Sequence, residues 1–175
     1  KKTLSLVLTL ILSTAVLLSC MHANCLISIK EMFEDVTTAT GYRYYAHDNR
    51  GYGLDGIKII ENPHAGYLGV YHSYIDGIFH VRLANSTDLL KWAFIKTIEP
   101  DASQPTIAQA PNGAYIIAFE KEDASSHLEL HYYSNLSILI NGPPDFAIDM
   151  PRTLSSFHEG TPNVYNISIE DSVMN

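Results

Sequence analysis

Short apolar stretches alternate with turn residues from about residue 55 onward, which is a pattern typical of β-strands. Residues 67–73 and 78–84 are rich in aromatic and β-branched side chains, and residues 92–98 continue the pattern after a polar stretch. A shorter apolar run at 57–60 precedes them. Because the intervening turns are tight, the pattern predicts four short antiparallel strands.

The same pattern then repeats at a spacing of 48 residues. Three pairs of landmarks share this spacing: Pro63 and Pro111, Tyr67 and Tyr115, and Ser86 and Ser134. The repeat predicts strands at 105–109, 115–120, 127–134 and 146–150, and a third unit opening at 161–167. A period of this length with four strands per unit is typical of a β-propeller blade, although a meander with similar hairpins is the alternative. Since a propeller closes with at least four blades, we expect this chain to be the N-terminal part of a longer protein.

A polar residue stands just before each of the predicted opening strands. These residues are Asp55, Gln104 and Glu159, and the last of them lies in a turn that continues with glycine, threonine and proline. If the repeats surround one axis, their opening strands converge on it. We therefore expect the three side chains to meet at one site, with His158 beside them.

Two stretches resemble sugar-cleaving propellers. Residues 85–92 are similar to the S-x-D-L-x-x-W element of five-bladed enzymes of the arabinanase and invertase type. Residues 158–165 are similar to the E-G-P-x-I-Y stretch of family 43 glycoside hydrolases, with Thr161 inserted. The resemblance extends over Asp55 to Tyr165. It implies an all-β, five-bladed β-propeller, with about the first two to three blades present, that hydrolyses glycosidic bonds in plant-type polysaccharides such as arabinan or xylan.

The resemblance also implies roles for the opening residues, with Asp55 as general base and Glu159 as general acid of an inverting reaction. Such a reaction needs a protonated carboxyl and an ionised carboxylate roughly 6.5 to 9.5 Å apart. Gln104 falls where the family has an aspartate that tunes the acid's pKa, and an uncharged amide cannot do so. Weakened catalysis, a substitute carboxylate (Asp101 or Glu120), and a carbohydrate-binding propeller without turnover all remain open. Gln104 and His158 are then expected to contact the substrate.

The composition limits the kinds of partner that we expect the chain to bind. It has 175 residues and a formal net charge of −8, with no basic cluster beyond its first two lysines, so nucleic acid is not an expected partner. His127, Glu129 and His131 share one face of a predicted strand and could bind zinc, but a solvated polar face is the simpler interpretation. We expect a monomer that needs no metal or cofactor.

The amino terminus predicts export. Two lysines followed by an apolar run from Leu4 to Leu18 are typical of a secretory signal peptide, here residues 1–23. An entry segment, 24–54, and the partial propeller, 55–175, would follow. Residues 17–20 also resemble a bacterial lipoprotein cleavage box, so attachment to a membrane through a lipid on Cys20 is the alternative to a secreted protein.

Overall fold

The computed structural model describes residues 43–123 and 126–170, together with 30, 31, 34, 35, 37, 41, 173 and 174. The predicted signal peptide and Cys20 lie outside these residues. The chain divides into two units, Lys1–Arg43 and Tyr44–Asn175, and the account below concerns the second unit. Among the described residues, no helix is long and apolar enough to cross a membrane.

Two antiparallel sheets of four strands form the second unit, and both have their strands in chain order. The first contains β1 (Asp55–Glu61), β2 (Tyr67–Ile75), β3 (Ile78–Ser86) and β4 (Ala93–Pro100). The second contains β5 (Ala102–Gln109), β6 (Tyr115–Lys121), β7 (His127–Tyr133) and β8 (Phe146–Met150). Short strands β9 (Ile169–Glu170) and β10 (Val173–Met174) pair with each other. The prediction of an all-β fold is confirmed.

Two details differ from the prediction. A short helix, α1 (Leu136–Asn141), separates β7 from β8. Its start is capped because the side chain of Asn135 accepts a hydrogen bond from the backbone N–H of Ile138, at 3.0 Å. The expected opening strand of a third repeat is absent from the described residues, since 161–168 form no regular secondary structure.

The core lies between the two sheets. Alternate side chains of β2 and β3 are fully buried, and so are alternate side chains of β6, in the same apolar cluster. The main members are Leu68, Val70, Val81, Leu83, Tyr115, Ile117 and Phe119. Because a strand presents every second residue to one face, continuing this alternation along β2 places His72 on the face toward the second sheet.

The outer face of the first sheet is covered by residues 46–54 and holds a buried ion pair. Arg82 is 2% exposed, and its Nη2 lies 3.1 Å from Oδ2 of Asp48. The same carboxylate oxygen accepts a hydrogen bond from the hydroxyl of Tyr71, at 2.7 Å. The guanidinium lies 4.5 Å from the ring centroid of Tyr52 and 4.2 Å from that of Phe94. This cluster fixes residues 46–54 to the sheet.

The turn between β3 and β4 explains the S-x-D-L-x-x-W pattern locally. Ser86 Oγ accepts hydrogen bonds from the backbone N–H groups of Asp88 and Leu89. Asp88 in turn accepts from the N–H groups of Leu90 and Lys91. Trp92 Nε1 donates to the carbonyl of Leu89, at 3.2 Å. The serine, aspartate and tryptophan therefore close one turn and bury the indole, which is 4% exposed.

Candidate functional site

Three residues near the predicted strand openings have a left-handed backbone. Gly56 has φ of 59°, Gln104 of 50° and Thr161 of 55°. Glycine adopts this conformation freely, whereas glutamine and a β-branched threonine are strained in it. The same irregularity therefore recurs where each of the three stretches begins.

The strand register shows which opening residues are equivalent. Asp55 pairs with His72 and Lys58 with Val70, so an extra residue of β1 bulges from the ladder. In the second sheet Ser103 pairs with Glu120 and Thr106 with Ala118, which is the same arrangement. Asp55 is thus level with Ser103, one residue before the position of Gln104. Glu159 precedes Thr161 by two residues, so the three predicted polar residues occupy three different positions.

The three stretches line one cleft of about 410 Å³. Its walls are residues 56–58 of β1, 104–106 of β5 and 161–163, together with Tyr165. Lys58 Nζ donates to Oδ1 of Asn163 at 3.2 Å, which joins the first stretch to the third. Gln104 lines this cleft, whereas Asp55, His158 and Glu159 do not belong to its lining.

His72 joins Asp55 to Gln104. It pairs with Asp55 across the first sheet, and its Nδ1 accepts a hydrogen bond from the backbone N–H of Gln104, at 3.4 Å. Nδ1 must therefore be unprotonated. Burial lowers the pKa of His72, and the charges of Asp55 and Glu122 offset only part of this effect. The position of His72 opposite Asp55 could not be predicted from the sequence, because the register that pairs them depends on the bulge.

Glu120 occupies the position in the second sheet that His72 occupies in the first. Each pairs with the residue just before a left-handed residue. A Cβ atom added to Gly160 would overlap the carboxylate of Glu120, so this carboxylate packs directly against the glycine. In both sheets, then, this position of the second strand contacts the opening of the next stretch. Glu120, considered from the sequence as a substitute carboxylate, lies against Gly160, next to Thr161.

Glu159 is held by its own loop. Its Oε1 accepts hydrogen bonds from the backbone N–H groups of Thr153 and Ser155, both at 2.8 Å, and from that of Leu154. Hydrogen bonds from Leu154 and Ser155 lower the pKa of Glu159. The loop therefore stabilises the ionised carboxylate, whereas a general acid has to be protonated. His158 lies in the same loop, with an exposed side chain and its N–H donating to Ser155 Oγ.

The histidines of β7 separate into two groups. Nε2 of His131 lies 2.7 Å from Oε1 of Glu129, and ligand atoms of these residues and Glu99 lie within 4.8 Å of one another. The predicted third member, His127, instead lies 3.3 Å from Asp149. The ammonium of Lys121 forms an ion pair with Glu99, so a cationic group already neutralises part of this cluster. The set can offer one nitrogen and two oxygen ligands to a metal ion.

No protein-family model matches this chain, and no curated protein matches it with significance.

Proposed function

We propose that this chain is part of a five-bladed β-propeller of the sugar-cleaving type and that its cleft binds carbohydrate. The observation that carries the proposal is that the openings of β1 and β5 and residues 161–163, each with a left-handed residue, line one cleft. Propellers bring their innermost strands together in this way around a central channel. The resemblance of residues 85–92 and 158–165 to family 43 glycoside hydrolases supports the same reading.

Backbone strain in the cleft supports a functional role. A left-handed non-glycine residue costs about 1–2 kcal/mol, and such outliers cluster at binding and catalytic sites. Both Gln104 and Thr161 are of this kind, and both line the cleft. Glycine would relieve the strain at either position but would remove a polar side chain from the cleft.

The side chains of the cleft suit the recognition of sugar hydroxyls. The amides of Gln104 and Asn163 and the hydroxyl of Thr161, all of them exposed, can both donate and accept hydrogen bonds. Tyr165 is 87% exposed at the edge and presents a flat ring on which a sugar can pack. Because Glu159 is held as an anion and Gln104 is neutral, the cleft supports binding without hydrolysis.

Binding is tested by titrating the chain with arabino- and xylo-oligosaccharides in a calorimeter. We expect Gln104→Gly, which keeps the backbone conformation and removes the amide, to weaken the affinity about tenfold. Gln109→Ala, at the far end of the same strand, is the control and should leave the affinity unchanged. Absence of binding by the unmodified chain, or equal affinity of the Gln104 variant, would overturn the proposal.

Hydrolysis is the second candidate and is favoured by the exposed carboxylate of Asp55 beside His72. In this alternative Asp55 is the base. Glu159 can act as the acid only after its hydrogen bonds to three backbone N–H groups break and the carboxylate takes up a proton. Release of reducing ends from the same oligosaccharides measures it. If the unmodified chain releases them and both Asp55→Asn and Glu159→Gln abolish release, hydrolysis replaces simple binding.

We also propose that the protein is exported, because an apolar run follows the two N-terminal lysines. The mature protein would bind plant-type polysaccharide outside the cell. The protein itself would be either free or attached to a membrane through a lipid on Cys20.

A further inference from the structure

The charge of the cleft differs from that of the chain. The formal net charge is −8, yet among the described residues that line the cleft Lys58 is the one that carries a charge. The rest of the lining is uncharged. The ammonium of Lys58 is therefore the group in the lining that can attract a negatively charged part of a ligand.

The ammonium of Lys58 has N–H donors that are available to a ligand. Its ammonium has three N–H donors and gives one to Oδ1 of Asn163, at 3.2 Å. It forms no ion pair with a carboxylate within the part of the chain that the structure describes. Lys30 and Lys121 differ, since they form ion pairs with Glu34 and Glu99. An ammonium held by a neutral amide is suited to a negatively charged ligand group.

We propose that the sugar bound in the cleft carries a carboxylate, as a uronic acid unit does, and that this carboxylate binds Lys58. The inference rests on the proposed carbohydrate-binding function and names the class of sugar. One ammonium, two amides and the hydroxyls of two threonines and a tyrosine match a single negative charge on a hydroxylated ring. The charges of Asp55 and Glu122, which act on His72 at the neighbouring opening, disfavour ligands that carry several negative charges.

A matched pair of sugars tests the inference: a xylo-oligosaccharide that bears one glucuronic acid branch and the same oligosaccharide without it. We expect the acidic sugar to bind the unmodified chain about tenfold more tightly at low salt, as a charge-assisted hydrogen bond of this kind predicts. The preference should shrink in 0.5 M salt, which is about an order of magnitude above a low-salt buffer.

Three variants locate the charge that is responsible. Lys58→Met keeps the aliphatic stem and should abolish the preference for the acidic sugar while retaining affinity for the neutral one. Lys58→Arg should keep the preference. Lys91→Met, which removes an exposed lysine from the turn between β3 and β4, is the control and should change neither affinity.

The outcomes are distinguishable. Equal affinity for the two sugars, or a preference that survives in Lys58→Met, overturns the inference and leaves carbohydrate binding intact. If neither sugar binds the unmodified chain, the proposed function itself fails. A sulfated xylo-oligosaccharide serves as a third ligand. If it binds as tightly as the sugar with the uronic acid, the assignment to a carboxylate is overturned.

Discussion

Removing the carboxylate of Asp48 should destabilise the second unit more than any exposed carboxylate would. Tyr71 and Arg82 contact Oδ2 of Asp48, and Oδ1 accepts hydrogen bonds from the backbone N–H groups of Arg50 and Tyr52, at 2.8 and 3.1 Å. In Asp48→Ala the guanidinium of Arg82 stays buried without its counter-ion. Two of its nitrogen atoms, Nε and Nη1, already have no hydrogen-bond partner among the described residues.

The expected loss follows from this arrangement. Breaking a buried ion pair by removing one partner costs about 3–5 kcal/mol. Contacts of the guanidinium with the rings of Tyr52 and Phe94 remain and offset part of that cost, so we expect about 3 kcal/mol. The double variant Asp48→Ala/Arg82→Met should lose less than Asp48→Ala alone, because it leaves no unpaired charge behind.

Urea unfolding followed by the fluorescence of Trp92, the sole tryptophan, measures this loss. The backbone carbonyl of Trp92 accepts a hydrogen bond from Asn49 at 2.9 Å, so the probe reports on the same region. Asp88→Ala is the matched control, since Asp88 also accepts two backbone amides but faces solvent. A loss below about 1 kcal/mol for Asp48→Ala, or a double variant as unstable as the sum of the two single ones, would refute the reasoning.

Two further predictions concern the first sheet. Burial lowers the pKa of His72, so the unfolded chain takes up the proton first as the pH falls below the ordinary value near 6.5. The unmodified chain should therefore lose stability between about pH 6.5 and 5, and His72→Gln should lose less, as urea midpoints measured across that range would show; parallel curves would contradict this. At Gly69, an added Cβ would lie 2.7 Å from Ile57 Cδ1 and 2.8 Å from Trp92 Cζ3. We expect Gly69→Ala to cost about 1–3 kcal/mol in the free energy of unfolding, and an unchanged urea midpoint would count against that contact.

The strands could be predicted because alternation and turn residues are local properties of the sequence. β8 (Phe146–Met150) was expected at the bounds that the structure shows. Gly56 signals the bulge of β1, but the bulge of β5 could not be predicted, since glutamine does not signal a left-handed backbone. The 48-residue spacing itself places Asp55 level with Ser103, as the strand register does, so the equivalence of Asp55 with Gln104 was based on polar residue type and not on the repeat.

The environment of Glu159 was also beyond sequence reasoning. The carboxylate was visible, but its partners are backbone N–H groups of residues 153–155, and any residue other than proline supplies such a group. Only the path of the loop determines that three of them point at one oxygen atom. For the same reason, the sequence could suggest a role for Glu159 and could not indicate its protonation state.

The bulges at Gly56 and Gln104 have a consequence for how this protein can diversify. A residue that stands outside the ladder can be exchanged without losing an interstrand hydrogen bond, because the neighbouring residues on each side keep their partners. At Gly56 any side chain would add the backbone strain that Gln104 already carries. Substitutions at such positions change the side chains that line the cleft, while the sheets keep their structure. A small combinatorial library at these two positions and at Thr161 is therefore a natural starting point for selecting new specificities.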